Sequence, residues 1–166
     1  MRKGEKGIFL LMGVMVVAFI LINNYRQSQD EGEDKGIPFY STAPTALEKR
    51  AMELIRLWDC RDCHSLWSIR NVMQSVPTPA LDGLGSLHDE AFFFEYLSAE
   101  DPQSIIPSRL KAEYQMPSFM DLPEADRRTL AQYLASLKVE DWYLEEVKKK
   151  EYEKLTGKDY PPAESE

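Results

Sequence analysis

Apolar and polar residues fall into blocks along the chain, and each block predicts a different kind of segment. An uncharged apolar run occupies positions 8–22, and a stretch rich in Gln, Asp, Glu, Gly and Pro follows it. From position 45 onward, apolar residues recur at helical spacing between loops that contain Pro and Gly. The pattern predicts four segments: an N-terminal membrane anchor over 1–25, a flexible linker over 26–44, a folded domain over 45–138, and a helical extension and tail over 139–166.

The folded domain is predicted to be all-α, because no segment shows a convincing strand alternation. Helical spacing predicts helices at about 45–59, 89–99, 121–137 and 141–156. Thr45 with Glu48, and Asp121 with Glu124, have the spacing of capping boxes at the starts of the first and third helices.

The apolar run is short for a membrane span, since its 15 residues cover about 22 Å of a hydrocarbon core of roughly 30 Å. Lys6 can snorkel outward and Tyr25 can lie at the interface, which extends the span. No small-residue cleavage site follows the run, which favours an uncleaved anchor over a cleaved signal peptide. Residues 1–29 carry a charge of +3, which leaves −11 for the rest of the chain. The positive-inside rule then predicts a single-pass protein of the cytoplasmic membrane with its folded domain on the periplasmic side.

Composition excludes several classes of protein. The net charge is −8 and the isoelectric point is near 4.9, which argues against binding to nucleic-acid phosphates. Two cysteines cannot form the disulfide framework of a small secreted scaffold. With only two Cys and two His in 166 residues, the placement of these four side chains becomes informative.

Both cysteines and one histidine fall in a single motif, Cys60-x-x-Cys63-His64, which is the attachment signal of c-type haem. Two thiols one helical turn apart can each bond a vinyl group at one edge of a porphyrin, and the adjacent imidazole can ligate the iron. A thioredoxin-type dithiol normally follows a strand, whereas Cys60 follows a predicted helix. A zinc site would need His88 as a fourth ligand, and adjacent Cys63 and His64 rarely share a metal. The motif therefore predicts one covalent haem c with its iron.

A second axial ligand is sought among the remaining methionines and His88. Pro117 favours an extended backbone at Met116, so that the Met116 side chain can project from a loop. Met116 follows His64 by 52 residues, which is enough chain to reach the opposite face of the ring. Met116 is therefore the predicted ligand, with Met120 and His88 as the other candidates.

Taken together, these features resemble class I cytochrome c over about residues 45–138. They are C-x-x-C-H after a helix, a Pro-x-Leu segment, an aromatic helix, an Asp-Pro turn, a Met-Pro-x-Phe loop and a closing amphipathic helix. The resemblance implies that Cys60 and Cys63 hold the haem, and that His64 and Met116 ligate the iron. It also implies that the carbonyl of Pro79 accepts a hydrogen bond from the ring of His64.

Other residues extend this comparison. The family usually has Gly before the matching Pro, and Thr78 departs from that pattern. The resemblance also implies that the first and last helices cross beside the haem, near Trp58 and Tyr133. An apolar shell from Phe92–Phe94, Trp67 and Phe119 would favour the reduced iron.

The function implied by the resemblance is one-electron transfer at the outer face of a bacterial-type cytoplasmic membrane. The chain would be a respiratory carrier, or the cytochrome subunit of an oxidoreductase complex, and not an enzyme in its own right. Its expected partners are redox proteins or complex subunits, with the membrane contacted through residues 8–22. Neither nucleic acid nor a small-molecule substrate is expected. The alternatives are a periplasmic thiol-disulfide or haem-handling protein and a haem-based sensor. The extension over 139–166 either packs on its own domain or docks a partner subunit.

Overall fold

A computed structural model of the chain describes residues 12–22, 35–69 and 78–161. The chain divides into two units, Met1–Gly36 and Ile37–Glu166. In the first unit, residues 12–22 are helical. Within the described ranges, no helix is long and apolar enough to cross a membrane. The predicted anchor and the single-pass, periplasm-facing location are thereby contradicted; Lys6 and Tyr25, which were expected to extend the span, lie outside the described residues.

The second unit is mostly helical but contains a small antiparallel sheet, so the all-α prediction is wrong. Strand β1 (Phe39–Ser41) pairs with strand β2 (Leu137–Val139), with Tyr40 opposite Lys138. The two outer side chains of β2 are buried, and the middle one is half-buried. Strands of three residues are too short to show a period of two in the sequence. Strand β1 lies inside the segment predicted as a linker, of which residues 26–34 are not described.

The helices of this unit lie within or close to the segments that helical spacing predicted. They are α1 (Thr45–Leu57), α2 (Cys60–Cys63), α3 (Glu90–Ser98), α4 (Glu124–Ser136) and α5 (Asp141–Thr156), with short 3₁₀ turns at Leu84–Ser86, Pro102–Ser104 and Ala112–Tyr114. Neither predicted capping box forms, because α1 and α4 begin directly after Pro44 and Pro123 without a side-chain cap. Asp89 caps α3, where its carboxylate accepts a hydrogen bond from the backbone N–H of Phe92 at 2.8 Å.

The core forms where α4 packs against both α1 and α3. Helical spacing predicts one apolar face for the first helix, from Leu47 to Trp58; Ala51, Leu54 and Ile55 of this face are buried, whereas Leu47 is half-buried and Trp58 is exposed. Tyr133 of α4 is fully buried, and its hydroxyl donates a weak hydrogen bond to the sulfur of Met52. These helices are the fixed frame against which the C-x-x-C-H motif and the loops around it are held.

Candidate functional site

The C-x-x-C-H motif follows α1 after a sharp change of chain direction. Trp58 ends α1, and Asp59 takes a left-handed conformation with φ 51°, which Asp tolerates better than most residues. Cys60–Cys63 then form one helical turn, so that the two cysteines stand at its first and last positions, on the same side of the helix. The thiols are not joined by a disulfide; Cys60 is half-buried and Cys63 is exposed.

His64 leaves this helical turn in an extended conformation, with its ring fixed by the backbone of a later loop. Its backbone N–H donates to the carbonyl of Cys60 at 2.9 Å, and its Nδ1 lies 2.8 Å from the carbonyl oxygen of Pro79. Because a carbonyl only accepts, Nδ1 carries the proton, and Nε2 of the neutral ring keeps a lone pair that could bind a metal. Burial lowers the pKa of His64; the Pro79 carbonyl opposes this shift and the ammonium of Lys154 adds to it.

Thr78, where the sequence departs from the usual glycine, has two contacts of its own. It is 8% exposed, and its hydroxyl donates to the carbonyl of Cys63. Its own carbonyl accepts a hydrogen bond from Nζ of Lys154 at 2.9 Å. The residue therefore joins the end of the C-x-x-C turn, through its hydroxyl, to the C-terminal helix, through its backbone carbonyl; only the first of these bonds requires a threonine.

The predicted site residues line one cleft of about 260 Å³. Cys60, Cys63, His64, Pro79 and Met116 all contribute to its walls. Most of the other wall is apolar and comes from Leu81, Leu84, Phe92, Phe93, Leu97, Ile106, Phe119 and Leu134. The cleft thus combines the attachment motif with a largely dry surface, which is what a porphyrin face requires.

Two of the side chains expected in the apolar shell lie elsewhere. The ring of Phe94 lies under the guanidinium of Arg128, at 4.5 Å, and Trp67 packs against the hydrophobic core. Of the two aromatic residues expected beside the haem, Trp58 lines the cleft and is 40% exposed, whereas Tyr133 is fully buried in the core.

Met116 is held in the loop that the Asp-Pro turn begins. Asp101 caps the 3₁₀ turn by accepting from the backbone N–H of Gln103 at 3.1 Å. The side-chain amide of Gln103 then donates to the carbonyl of Met116 at 3.0 Å. Met116 is half-buried and lines the cleft, as does the rival candidate His88, while Met120 is 43% exposed and lies outside the lining. The geometry thus favours Met116 over Met120.

The C-terminal extension contributes residues that sequence reasoning missed. Glu151, Lys154 and Leu155 line the cleft, together with Arg109 from the loop before Met116. No sequence motif identifies these residues, because helical periodicity predicts which side chains share a face of α5 but not which segment that face packs against. Lys154 follows Glu151 by three positions, a spacing that is equally typical of a solvated surface pair.

The donor set suits a haem better than a bare metal ion. Across the described part of the chain, no group of three or more His, Cys, Asp or Glu side chains is arranged to hold a metal. A porphyrin brings four nitrogens of its own and needs only the two axial donors, for which the imidazole of His64 and the thioether of Met116 are suited. No protein-family model, curated protein or solved structure matches this chain.

Proposed function

We propose that the protein binds one haem c through Cys60 and Cys63 and carries single electrons between redox proteins. The observation that supports this most is the hydrogen bond between Nδ1 of His64 and the carbonyl of Pro79, 2.8 Å long. It orients the imidazole beside the two thiols and leaves Nε2 as the donor. Metal-ligating histidines are characteristically held in this way by a carbonyl or carboxylate behind the ring.

The state of Cys60 argues against the thiol-disulfide alternative. Burial raises the pKa of Cys60 to about 11. An attacking cysteine in an oxidoreductase needs a lowered pKa, usually from the N-terminus of a following long helix. Here the following helix is only the four residues of α2. A buried thiol of this kind suits a residue that is consumed once by covalent attachment.

The residues of the cleft would have separate tasks in electron transfer. A bound haem would supply the exchange of one electron between ferrous and ferric iron. His64 and Met116 would both ligate the iron, which would leave no open site for substrate or gas. The neutral thioether of Met116 and the apolar wall around it disfavour extra positive charge, and this raises the reduction potential. Pro79 would keep the His64 ring from rotating as the charge changes.

The charge of the chain bears on its redox partners. A net charge of −8 favours encounter with a basic protein surface, and the association rate would fall as salt rises. Rate measurements with one basic and one acidic acceptor protein, at two ionic strengths, test this part of the proposal. A faster reaction with the acidic acceptor would contradict it.

The first experiment asks whether haem is covalently attached. The full chain is produced in a host that attaches c-type haem, denatured, and examined for haem that stays with the polypeptide. Attachment is expected in the wild type and is expected to be lost when both Cys60 and Cys63 are replaced by Ala. A wild-type protein without haem and with two titratable thiols would overturn the proposal in favour of the dithiol alternative.

The second experiment tests the axial ligand. In the reduced wild type, carbon monoxide should not bind, because Met116 occupies the site. Met116→Ala should bind carbon monoxide, whereas the matched variant Met120→Ala, four residues along the same loop, should behave as wild type. Binding by the wild type would instead indicate a haem-based sensor, and an unchanged Met116→Ala would refute this ligand.

A further inference from the structure

Helix α5 lies beyond the segment that resembles a cytochrome domain, yet its last turns reach both sides of the cleft. On the His64 side, Nζ of Lys154 donates to the carbonyl of Thr78 at 2.9 Å. Thr78 directly precedes Pro79, whose carbonyl holds the His64 ring. The ammonium of Lys154 on α5 is therefore linked to the His64 imidazole through two hydrogen bonds and the Thr78–Pro79 backbone.

On the Met116 side, the link runs through Arg109. Its Nε donates to the carbonyl of Leu155 at 3.1 Å, and its Nη2 donates to the carbonyl of Lys154 at 2.8 Å. These carbonyls belong to the last turn of α5, where the helix leaves acceptors without internal partners and where a cation is favoured. Arg109 lies in the loop that continues to Met116, so this loop is attached to the same helical turn that holds Thr78.

A third contact fixes the same helix to the rim of the cleft. Nε2 of His88 lies 3.2 Å from a carboxylate oxygen of Glu151, and the His88 ring stacks on Phe92 at 4.0 Å. The first half of α5 packs through Val147, which is buried and lies against the turn at Gly83. The helix is therefore packed on its own unit along its length.

We propose that α5 is a clasp in which Lys154 and Arg109 are positioning residues for the two axial side chains. This inference rests on the proposed haem function. Through Lys154 the clasp fixes the Thr78–Pro79 segment behind His64, and through Arg109 it fixes the loop that presents Met116. Because both attachments lie in one helical turn, movement of α5 would loosen both sides of the cleft together.

The position of Thr78 supports this assignment. A glycine at this place would offer only its backbone, whereas the Thr78 hydroxyl also donates to the carbonyl of Cys63. The Thr78 hydroxyl thus fixes to Cys63 the same residue whose backbone carbonyl accepts the hydrogen bond from Lys154.

The test compares Lys154→Met and Arg109→Met with Lys150→Met in the full-length haem-loaded protein. Lys150 lies one turn earlier on α5 and its ammonium contacts the hydroxyl of Tyr143, so its variant removes the same charge without touching the clasp. Arg109→Met should allow the reduced protein to bind carbon monoxide, which the wild type does not bind, because the variant loses the hydrogen bonds that tie the Met116 loop to the carbonyls of Lys154 and Leu155. Lys154→Met should shift the reduction potential, and Lys150→Met should change neither quantity.

Amide hydrogen exchange of the same chain without haem provides a second measurement. Lys154→Met should speed exchange of residues 78–84, where the N–H of Leu81 is bonded to Ser65, and Lys150→Met should not. If Lys154→Met and Arg109→Met match Lys150→Met in all measurements, the clasp is refuted. If no chain takes up haem but the exchange difference is found, the proposed function fails and the clasp remains as a structural contact.

Discussion

Gly85 is the place where the cleft-lining turn at Leu84–Ser86 comes closest to α4, and Gly85→Ala tests how tightly this contact is set. A Cβ at Gly85 would lie 2.6 Å from the carbonyl carbon of Ala135 and 2.7 Å from the carbonyl oxygen of Leu134. Ordinary contacts of a Cβ begin at about 3.4 Å. The carbonyl oxygen of Ala135 would lie closer still, so the added methyl group forces the turn and the helix apart by more than about 0.8 Å.

Neither side of this contact can move freely. The carbonyl of Gly85 accepts from the ammonium of Lys138, and the hydroxyl of Ser86 accepts from the backbone N–H of Val139 at 3.1 Å. The obstructing atoms are backbone, and they belong to the helix that carries the buried Tyr133. Overpacking by one methyl group in such a place costs about 1–3 kcal/mol, and the backbone obstruction puts Gly85→Ala near the upper end.

The assay is urea unfolding of the full chain followed by circular dichroism. Gly85→Ala should lower the unfolding midpoint with an unchanged slope, as expected for a native-state strain. Gly13→Ala is the control, because a Cβ at Gly13 meets nothing within 4 Å, and it should leave the main transition unchanged. A loss below about 0.5 kcal/mol for Gly85→Ala would refute the close approach of the turn to α4.

Two further substitutions test buried polar groups. Burial raises the pKa of Tyr133 to about 12 from an ordinary value of 10, so its contribution is complete below pH 10 and is lost as the pH rises toward 12. Each unit of pKa shift corresponds to about 1.4 kcal/mol. The free energy of unfolding of the wild type should therefore fall by roughly 2–3 kcal/mol more than that of Tyr133→Phe as the pH rises from 10 to 12. An equal fall in the two proteins would contradict this. The carboxylate of Asp82 accepts hydrogen bonds from the backbone N–H groups of Trp67 and Ser68, which both have a positive φ. Asp82→Ala should lower the free energy of unfolding in urea by about 2 kcal/mol or more. A loss near zero would show that the turn at Trp67 and Ser68 is stable without this carboxylate.

The helices could be predicted from the sequence because their signals are local. The apolar spacing of Ala51, Leu54 and Ile55 lies within one helix and identifies the buried face directly. The end of α4 could not be predicted, because Leu137–Val139 continue its apolar pattern and become a strand only through pairing with Phe39–Ser41. The partner lies almost a hundred residues earlier, and no local propensity records that contact.

The capping boxes failed for a similar reason. Thr45 and Glu48 have the right spacing, but Pro44 already takes the extended conformation that precedes a helix, and Thr45 becomes the first helical residue. The same shift by Pro123 places Glu124 inside α4 rather than opposite a cap. Because proline restricts φ where a helix starts, it moved the first residue of each helix away from the position that the capping-box spacing assumes.

The residues of the cleft could likewise be predicted from the sequence only where their signal is local. The types and spacing of Cys60, Cys63 and His64 predict haem attachment without any knowledge of the fold. What holds the imidazole is a carbonyl 15 residues away, and what holds that carbonyl's loop is Lys154, a further 76 residues along the chain. A motif can specify which atoms react, but their orientation depends on contacts between segments, and here those contacts converge on the last turn of α5. The extension should therefore be treated as part of the cleft when its chemistry is tested.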